Sequence, residues 1–153
     1  MNKNAGFTLI EILIAVVVLA VGLLGLAGLQ ATSLRNNQSA YNRSQATQLA
    51  YDLADRMRAN FAGKAAYTAI LPLSSATEKT NCLPTTLLAS GCSYTEMAEN
   101  DLFEWNLAVT TTLPGGIGTL AVSANVFTIS ITWDDDRDGN DSNNPNFQTS
   151  FKL

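Results

Sequence analysis

The chain has 153 residues, room for one globular domain with a modest core and too little for two well-buried ones. Nine basic against 13 acidic side chains give a formal charge of −4, and no basic run offers a phosphate-binding stripe, so nucleic acid is not an expected partner. Without a single histidine the usual general base and the commonest transition-metal ligand are missing, and the expectation is a protein that is not an enzyme.

Residues 7–29 are apolar apart from Thr8 and one charged residue, Glu11. These 23 residues would form a helix of about 34 Å at ~1.5 Å per residue, enough to cross a hydrocarbon core of about 30 Å. A cleaved secretory signal has a basic start, a shorter apolar stretch and a small-residue site after it. Here residues 1–6 carry one Lys, the apolar stretch is too long, and no such site precedes Gln30. An uncleaved anchor explains the length but not Glu11, because a carboxylate in an apolar span costs about 2.5–3.5 kcal/mol unless it reaches the interface or a partner.

The run Gly6-Phe7-Thr8-Leu9-Ile10-Glu11, with the apolar stretch behind it, resembles the class III signal of type IV prepilins and pseudopilins. The resemblance implies that prepilin peptidase, a membrane aspartyl protease, cuts between Gly6 and Phe7 on the cytoplasmic side and methylates the new amine of Phe7. The apolar helix is then retained in a mature chain of 147 residues, and loss of Lys3 takes the side-chain charge from −4 to −5. The resemblance also gives Glu11 a role, pairing with the N-terminal amine of a neighbouring subunit. A carboxylate and an ammonium buried together cost far less than either alone, which would fix axial register in an apolar bundle. A Glu that merely snorkels to the interface is the alternative.

Residues 31–61 contain no Pro or Gly, and Leu34, Tyr41, Leu49, Ala50, Leu53, Met57 and Phe61 recur near the helical repeat. One helix from residue 7 to about residue 62 is expected, with Arg56 and Arg58 suited to its C-terminal dipole and Gly63 as terminator. The apolar stripe of its second half requires a covering element.

A narrower resemblance starts at Leu49-Ala50-Tyr51-Asp52-Leu53-Ala54-Asp55-Arg56-Met57-Arg58-Ala59-Asn60, which looks like the helix end of the PilV group of minor pilins. Asp101-Leu102-x-Glu104-Trp105, Leu113-Pro114-Gly115-Gly116-x-Gly118 and a strand ending in Trp133-Asp134 follow the same group's order. Membership would imply support of pilus assembly or priming and twitching motility.

A second helix is predicted over residues 95–113, with Thr95 as N-cap and Ala98, Leu102, Trp105, Val109 and Leu113 on one face, ended by Pro114-Gly115-Gly116. The period then changes to two. Leu120, Val122 and Ala124 alternate, then Phe127, Ile129, Ile131 and Trp133, then Phe147, Thr149, Phe151 and Leu153, which predicts three antiparallel strands. The fold class is therefore α+β, a long N-terminal helix packed on a small antiparallel sheet; type IV pilins share this architecture by resemblance. The expected organisation is a leader at 1–6, a transmembrane or filament-core helix at 7–29, its amphipathic continuation at 30–62 and a periplasmic globular domain at 63–153.

Cys82 and Cys92, the only cysteines, lie in a Pro- and Thr-containing segment on the periplasmic side of this topology. An oxidising compartment and an even count favour a disulfide, contributing about 2–3 kcal/mol in the chain-entropy model. Free or metal-binding thiols are the alternative, and they lack further soft ligands.

These readings make the chain a minor pilin-like subunit of a type IV pilus, single-pass in the inner membrane before assembly. Its partners would be other major and minor pilins, prepilin peptidase and the inner-membrane assembly platform. A minor pseudopilin of a type II secretion system carries the same signal, and an uncleaved membrane-anchored periplasmic binding or sensor protein would show no cleavage at Gly6. No cofactor is required. One segment leaves a metal open. In residues 134–142 Asp134, Asp136 and Asp138 alternate before Gly139, as in the first half of an EF-hand calcium loop, with Asn140 placed to offer a carbonyl. The pattern fails where the bidentate Glu should stand, because Pro145 occupies that position. A solvated Asn-rich hairpin loop is the plainer reading.

Overall fold

The computed structural model describes residues 7–70, 73–82 and 91–153. The chain divides into two compact units, residues 1–40 and 41–153.

Helix α1 runs over Leu9–Ala59. Within the first unit its described residues are almost entirely exposed, including Ile10, Leu13, Val17, Leu24 and Leu29. An 18-residue window there reaches a mean hydropathy of 2.9, long and apolar enough to cross a membrane. Leu34 is 69% exposed, so the expected amphipathic stripe does not begin there.

In the second unit α1 buries Asn42, Ala46, Ala50, Leu53, Ala54 and Met57, a stripe at three- and four-residue spacing. Tyr41 and Phe61, assigned to that stripe from sequence, are 54% exposed each. The stripe is narrower and richer in alanine than large apolar residues alone suggest. The helix also stops at Ala59 rather than near residue 62. Asn60 leaves the helical region (φ −105°, ψ 51°) because its amide Nδ2 donates to the Tyr94 carbonyl at 2.8 Å. Gly63 then serves as a packing residue and not as a left-handed terminator: its φ is −89°, and a Cβ there would stand 2.5 Å from the Tyr94 carbonyl oxygen. Phe61–Gly63 form a 3-10 turn and helix α2 follows over Lys64–Ala69.

Helix α3 spans Tyr94–Thr112. Its N-cap is Ser93, not Thr95. The Ser93 hydroxyl accepts from the Glu96 amide while the Glu96 carboxylate accepts from the Ser93 amide, a reciprocal box available only to a Ser three residues before a Glu. These bonds hold the Glu96 carboxyl below its usual range, the Ser93 hydroxyl contributing most. The predicted face of α3 is buried as expected: Ala98, Leu102, Trp105, Val109 and Leu113.

Strands β1 (Ile117–Ser123), β2 (Val126–Thr132) and β3 (Asn146–Lys152) form one antiparallel sheet in the order β1-β2-β3. Leu120 pairs with Ile129 and Phe127 with Phe151, placing the apolar alternation on one face. Trp133 and Leu153, read from sequence as strand residues, fall one residue past the ends of β2 and β3, and two further assignments shift. Val122 is 47% exposed at the sheet edge, and Ala124 is not in a strand. Ala124 and Asn125 form the two-residue β1–β2 turn, both left-handed at φ 48° and 63°, as such hairpins require. Trp105 joins layers, its Nε1 donating to the Leu49 carbonyl at 2.7 Å while its ring covers Gly118, where a Cβ would collide with it.

Candidate functional site

At the N-terminus Thr8 caps α1, its hydroxyl and carbonyl both accepting from the Glu11 amide, at 3.4 and 3.1 Å. Glu11 therefore stands in the first helical turn, where a carboxylate is favoured by the dipole. It is exposed and shares an apolar recess with Phe7, Ile12, Ala15, Val16 and Leu19. Among the described residues no Lys or Arg pairs with it. This geometry offers one carboxylate, without its own counter-ion, on an otherwise greasy helix. Gly6 and the rest of the leader lie outside the described residues.

Cys82 and Cys92 are joined in a disulfide with a Cα separation of 4.9 Å. Cys82 ends the 3-10 turn Thr80–Cys82 and Cys92 immediately precedes the α3 cap, so the bond ties that turn to the helix start. Residues 83–90 of the bridged segment lie outside the described residues.

The Asp-rich connection between β2 and β3 brings Asp134, Asp136 and Asp138 together, one carboxylate oxygen of each lying within 4.8 Å of the others. Asp134 Oδ2 accepts from the Gly139 amide at 3.0 Å, and Gly139 takes the left-handed φ of 73° that a glycine turn supplies. Asn143 Nδ2 donates to Asp136 and Asp138 at 3.3 Å each. The side-chain oxygen of Asn140 accepts from the amide and hydroxyl of Ser142, at 3.1 and 2.8 Å. The trio's chemistry is all-oxygen and suits a hard cation such as calcium.

Two features that join distant polar residues escaped sequence reasoning, which reached only the Asp52–Arg56 spacing within α1. Asn42, 1% exposed, donates to Asp135 Oδ1 at 2.8 Å, and Trp133 Nε1 donates to the same oxygen at 3.0 Å, anchoring the acidic loop on α1. The other is a cross-helix ion network. Arg56 of α1 reaches Asp52 at 3.0 Å, Asp101 at 3.2 Å and Glu104 at 2.7 Å. Tyr67 of α2 donates to the second oxygen of Asp101. Partial burial alone would lower the Arg56 pKa, but Glu104, Asp52 and Asp101 outweigh it and raise the value. Burial, reinforced by Asp101, pushes the Tyr67 phenol above its usual range. The signal available in sequence was the spacing of Asp52 before Arg56 and of Asp101 before Glu104 on amphipathic helices.

Two family models match the chain. The prokaryotic N-terminal methylation motif covers residues 1–27, and the type IV pilin Tt1218 model covers residues 28–103. No curated protein and no solved structure matches the chain significantly. The methylation motif and the long apolar N-terminal helix together fit anchoring in a membrane. With adjoining matches from residue 1 to residue 103 and a long helix with a three-stranded antiparallel sheet, the chain is similar to the type IV pilins, a structural family.

Proposed function

We propose that this chain is a minor subunit of a type IV pilus that supports assembly or priming of the filament and has no catalytic activity of its own. The observation that carries the reading is a lone carboxylate, Glu11, in the first turn of an apolar helix that matches the N-terminal methylation motif. In this reading prepilin peptidase cuts between Gly6 and Phe7 and methylates Phe7, and Glu11 neutralises the amine of the adjacent subunit. Apolar side chains of residues 7–29 supply the lateral contacts, first to lipid in the inner membrane and then to other major and minor pilins once the assembly platform extracts the subunit. The globular unit stands on the periplasmic side, where a disulfide persists.

The minor rather than the bulk role, and the pilus rather than a type II secretion pseudopilus, rest on the likeness of residues 49–60, 101–105 and 113–118 to the PilV group. Mass spectrometry of the protein from its native membrane tests the processing: an N-terminal methyl-Phe7 is expected, and an intact Met1 or an unmethylated Phe7 would overturn it. A deletion strain separates the two filament systems. Loss of twitching with normal protein export supports the pilus; the reverse supports the pseudopilus, and an uncleaved Gly6-Phe7 bond supports a plain anchored periplasmic protein.

A further inference from the structure

We propose that Asn140 is a glycosylation site, its side-chain nitrogen accepting an oligosaccharide from a polyprenyl-diphosphate carrier on the periplasmic side of the membrane. The pattern Asn-x-Ser/Thr, with x other than Pro, is the acceptor motif for N-linked glycan in exported proteins. Three stretches of the chain satisfy it: Asn37-Gln38-Ser39, Asn42-Arg43-Ser44 and Asn140-Asp141-Ser142. The motif alone does not rank them, and the structure does.

Transfer needs a side-chain nitrogen that solvent reaches and a backbone free to bend into the cleft of an enzyme. Asn42 fails the first requirement, because it is 1% exposed and its Nδ2 donates to Asp135 at 2.8 Å. Asn37 is exposed but fails the second, because it lies inside α1, where the main chain is committed to helical hydrogen bonds. Asn140 meets both. Residues 136–143 are all exposed, and none of them belongs to a helix or a strand. The two ends of the motif already meet: Asn140 Oδ1 accepts from the amide and the hydroxyl of Ser142. Asp138 Oδ1 accepts from the Asn140 amide at 2.7 Å and steadies the preceding side. The carboxamide is thus held by its oxygen, while among the described residues its Nδ2 meets no acceptor.

The step balances without a redox partner. Nδ2 attacks the anomeric carbon of the carrier-linked sugar and forms the C–N bond. The anomeric C–O bond to the diphosphate breaks, the polyprenyl diphosphate leaves with the electron pair, and the proton lost from Nδ2 passes to a carboxylate of a membrane oligosaccharyltransferase. A bulky, solubilising group at Asn140 would shield exposed irregular backbone, the kind of segment where proteolytic nicking concentrates. The proposal rests on the periplasmic placement argued above, and it holds equally for a pilus subunit, a pseudopilus subunit or a plain anchored protein.

The test is peptide mass spectrometry of a tryptic digest of the full chain isolated from its native membrane. Cleavage after Arg137 and Lys152 releases residues 138–152, which contain this one of the three motifs. That peptide is expected to carry an oligosaccharide mass, placed on Asn140 by fragmentation. Asn140→Gln and Ser142→Ala should each abolish the mass, Ser142→Thr, which keeps the hydroxyl, should retain it, and Asn37→Gln should leave it unchanged. An unmodified 138–152 peptide would overturn the proposal, as would a glycan that survives Asn140→Gln or one that fragmentation places on Ser142. The Cys82–Cys92 bond in the same digest tells the two failures apart. A bare peptide with the disulfide intact removes the glycosylation site and leaves the periplasmic placement standing, whereas a bare peptide with free thiols removes both.

Discussion

Asp101→Ala should destabilise the second unit by about 3 kcal/mol. Asp101 is only 7% exposed and its two oxygens serve two helices, one accepting from Tyr67 of α2 and one from Arg56 of α1. Hydrogen bonds to a charged group contribute about 1.5–3 kcal/mol each, with the upper end where removal strands a buried donor. Tyr67 is such a donor: it is fully buried, and its remaining acceptor is the Arg56 carbonyl at 3.4 Å. Arg56 is not stranded, because Asp52 and Glu104 still hold it. The Arg56 side of the loss is therefore small, and most of the 3 kcal/mol comes from Tyr67. Tyr67→Phe alone should cost about 1.5 kcal/mol, and the double variant should cost less than the sum by at least ~1 kcal/mol, as groups in one network do. Urea unfolding of the full chain in non-ionic detergent, followed by the fluorescence of the buried Trp105 and Trp133, measures all four corners of the cycle. A coupling below ~0.3 kcal/mol, the scatter expected of independent sites, would refute the argument that Asp101 holds α2 on α3 through Tyr67.

Gly118→Ala should cost about 2 kcal/mol by driving a methyl into the Trp105 ring, whereas Thr119→Ala on the exposed side of the same strand should stay within ~0.5 kcal/mol; equal costs would remove the close-approach account. Glu11→Val should leave membrane insertion and processing intact and reduce recovery in sheared filaments at least tenfold, read by immunoblot; normal recovery would refute the register role. The raised Tyr67 pKa contributes stability that is fully present below the unfolded value near 10 and is lost as pH rises through the folded value. In an alkaline absorbance titration the ionisation of Tyr67 should therefore come only with unfolding, and Tyr67→Phe should abolish that late step.

What the sequence made legible was what repeats. The two-residue alternation through Phe127, Ile129 and Ile131 located β2, although Trp133, read as its end, lies one residue past it, and the three- and four-residue spacing of Ala98, Leu102, Trp105 and Val109 oriented α3. Errors fell where one residue answers two claims. Thr95 looks like a cap, but Ser93 wins because Glu96 stands three residues after it and can return the hydrogen bond. Tyr41 and Phe61 lie on the apolar period yet face solvent, while the polar Asn42 is buried because Asp135 meets it 93 residues later in the chain. No local pattern encodes such a partner. The N-terminal site was the most readable part because its chemistry is an exception, one carboxylate in an apolar helix. The acidic trio was visible as spacing, since Asp134, Asp136 and Asp138 alternate before Gly139.

The division of labour around Asp135 limits how the gene encoding this loop can change. Asp135 faces Asn42 and Trp133 while Asp134 and Asp136 turn toward each other, so neighbouring residues of identical type serve opposite sides of the backbone. Substitutions among these aspartates act one side at a time. Deleting a single codon between Trp133 and Asp136 leaves the composition nearly unchanged, yet it exchanges the anchor for a cluster member and carries the rest of the connection with it. Length variation among relatives should therefore be confined beyond Gly139, on the side that leads into β3, while residues 133–138 keep a fixed count.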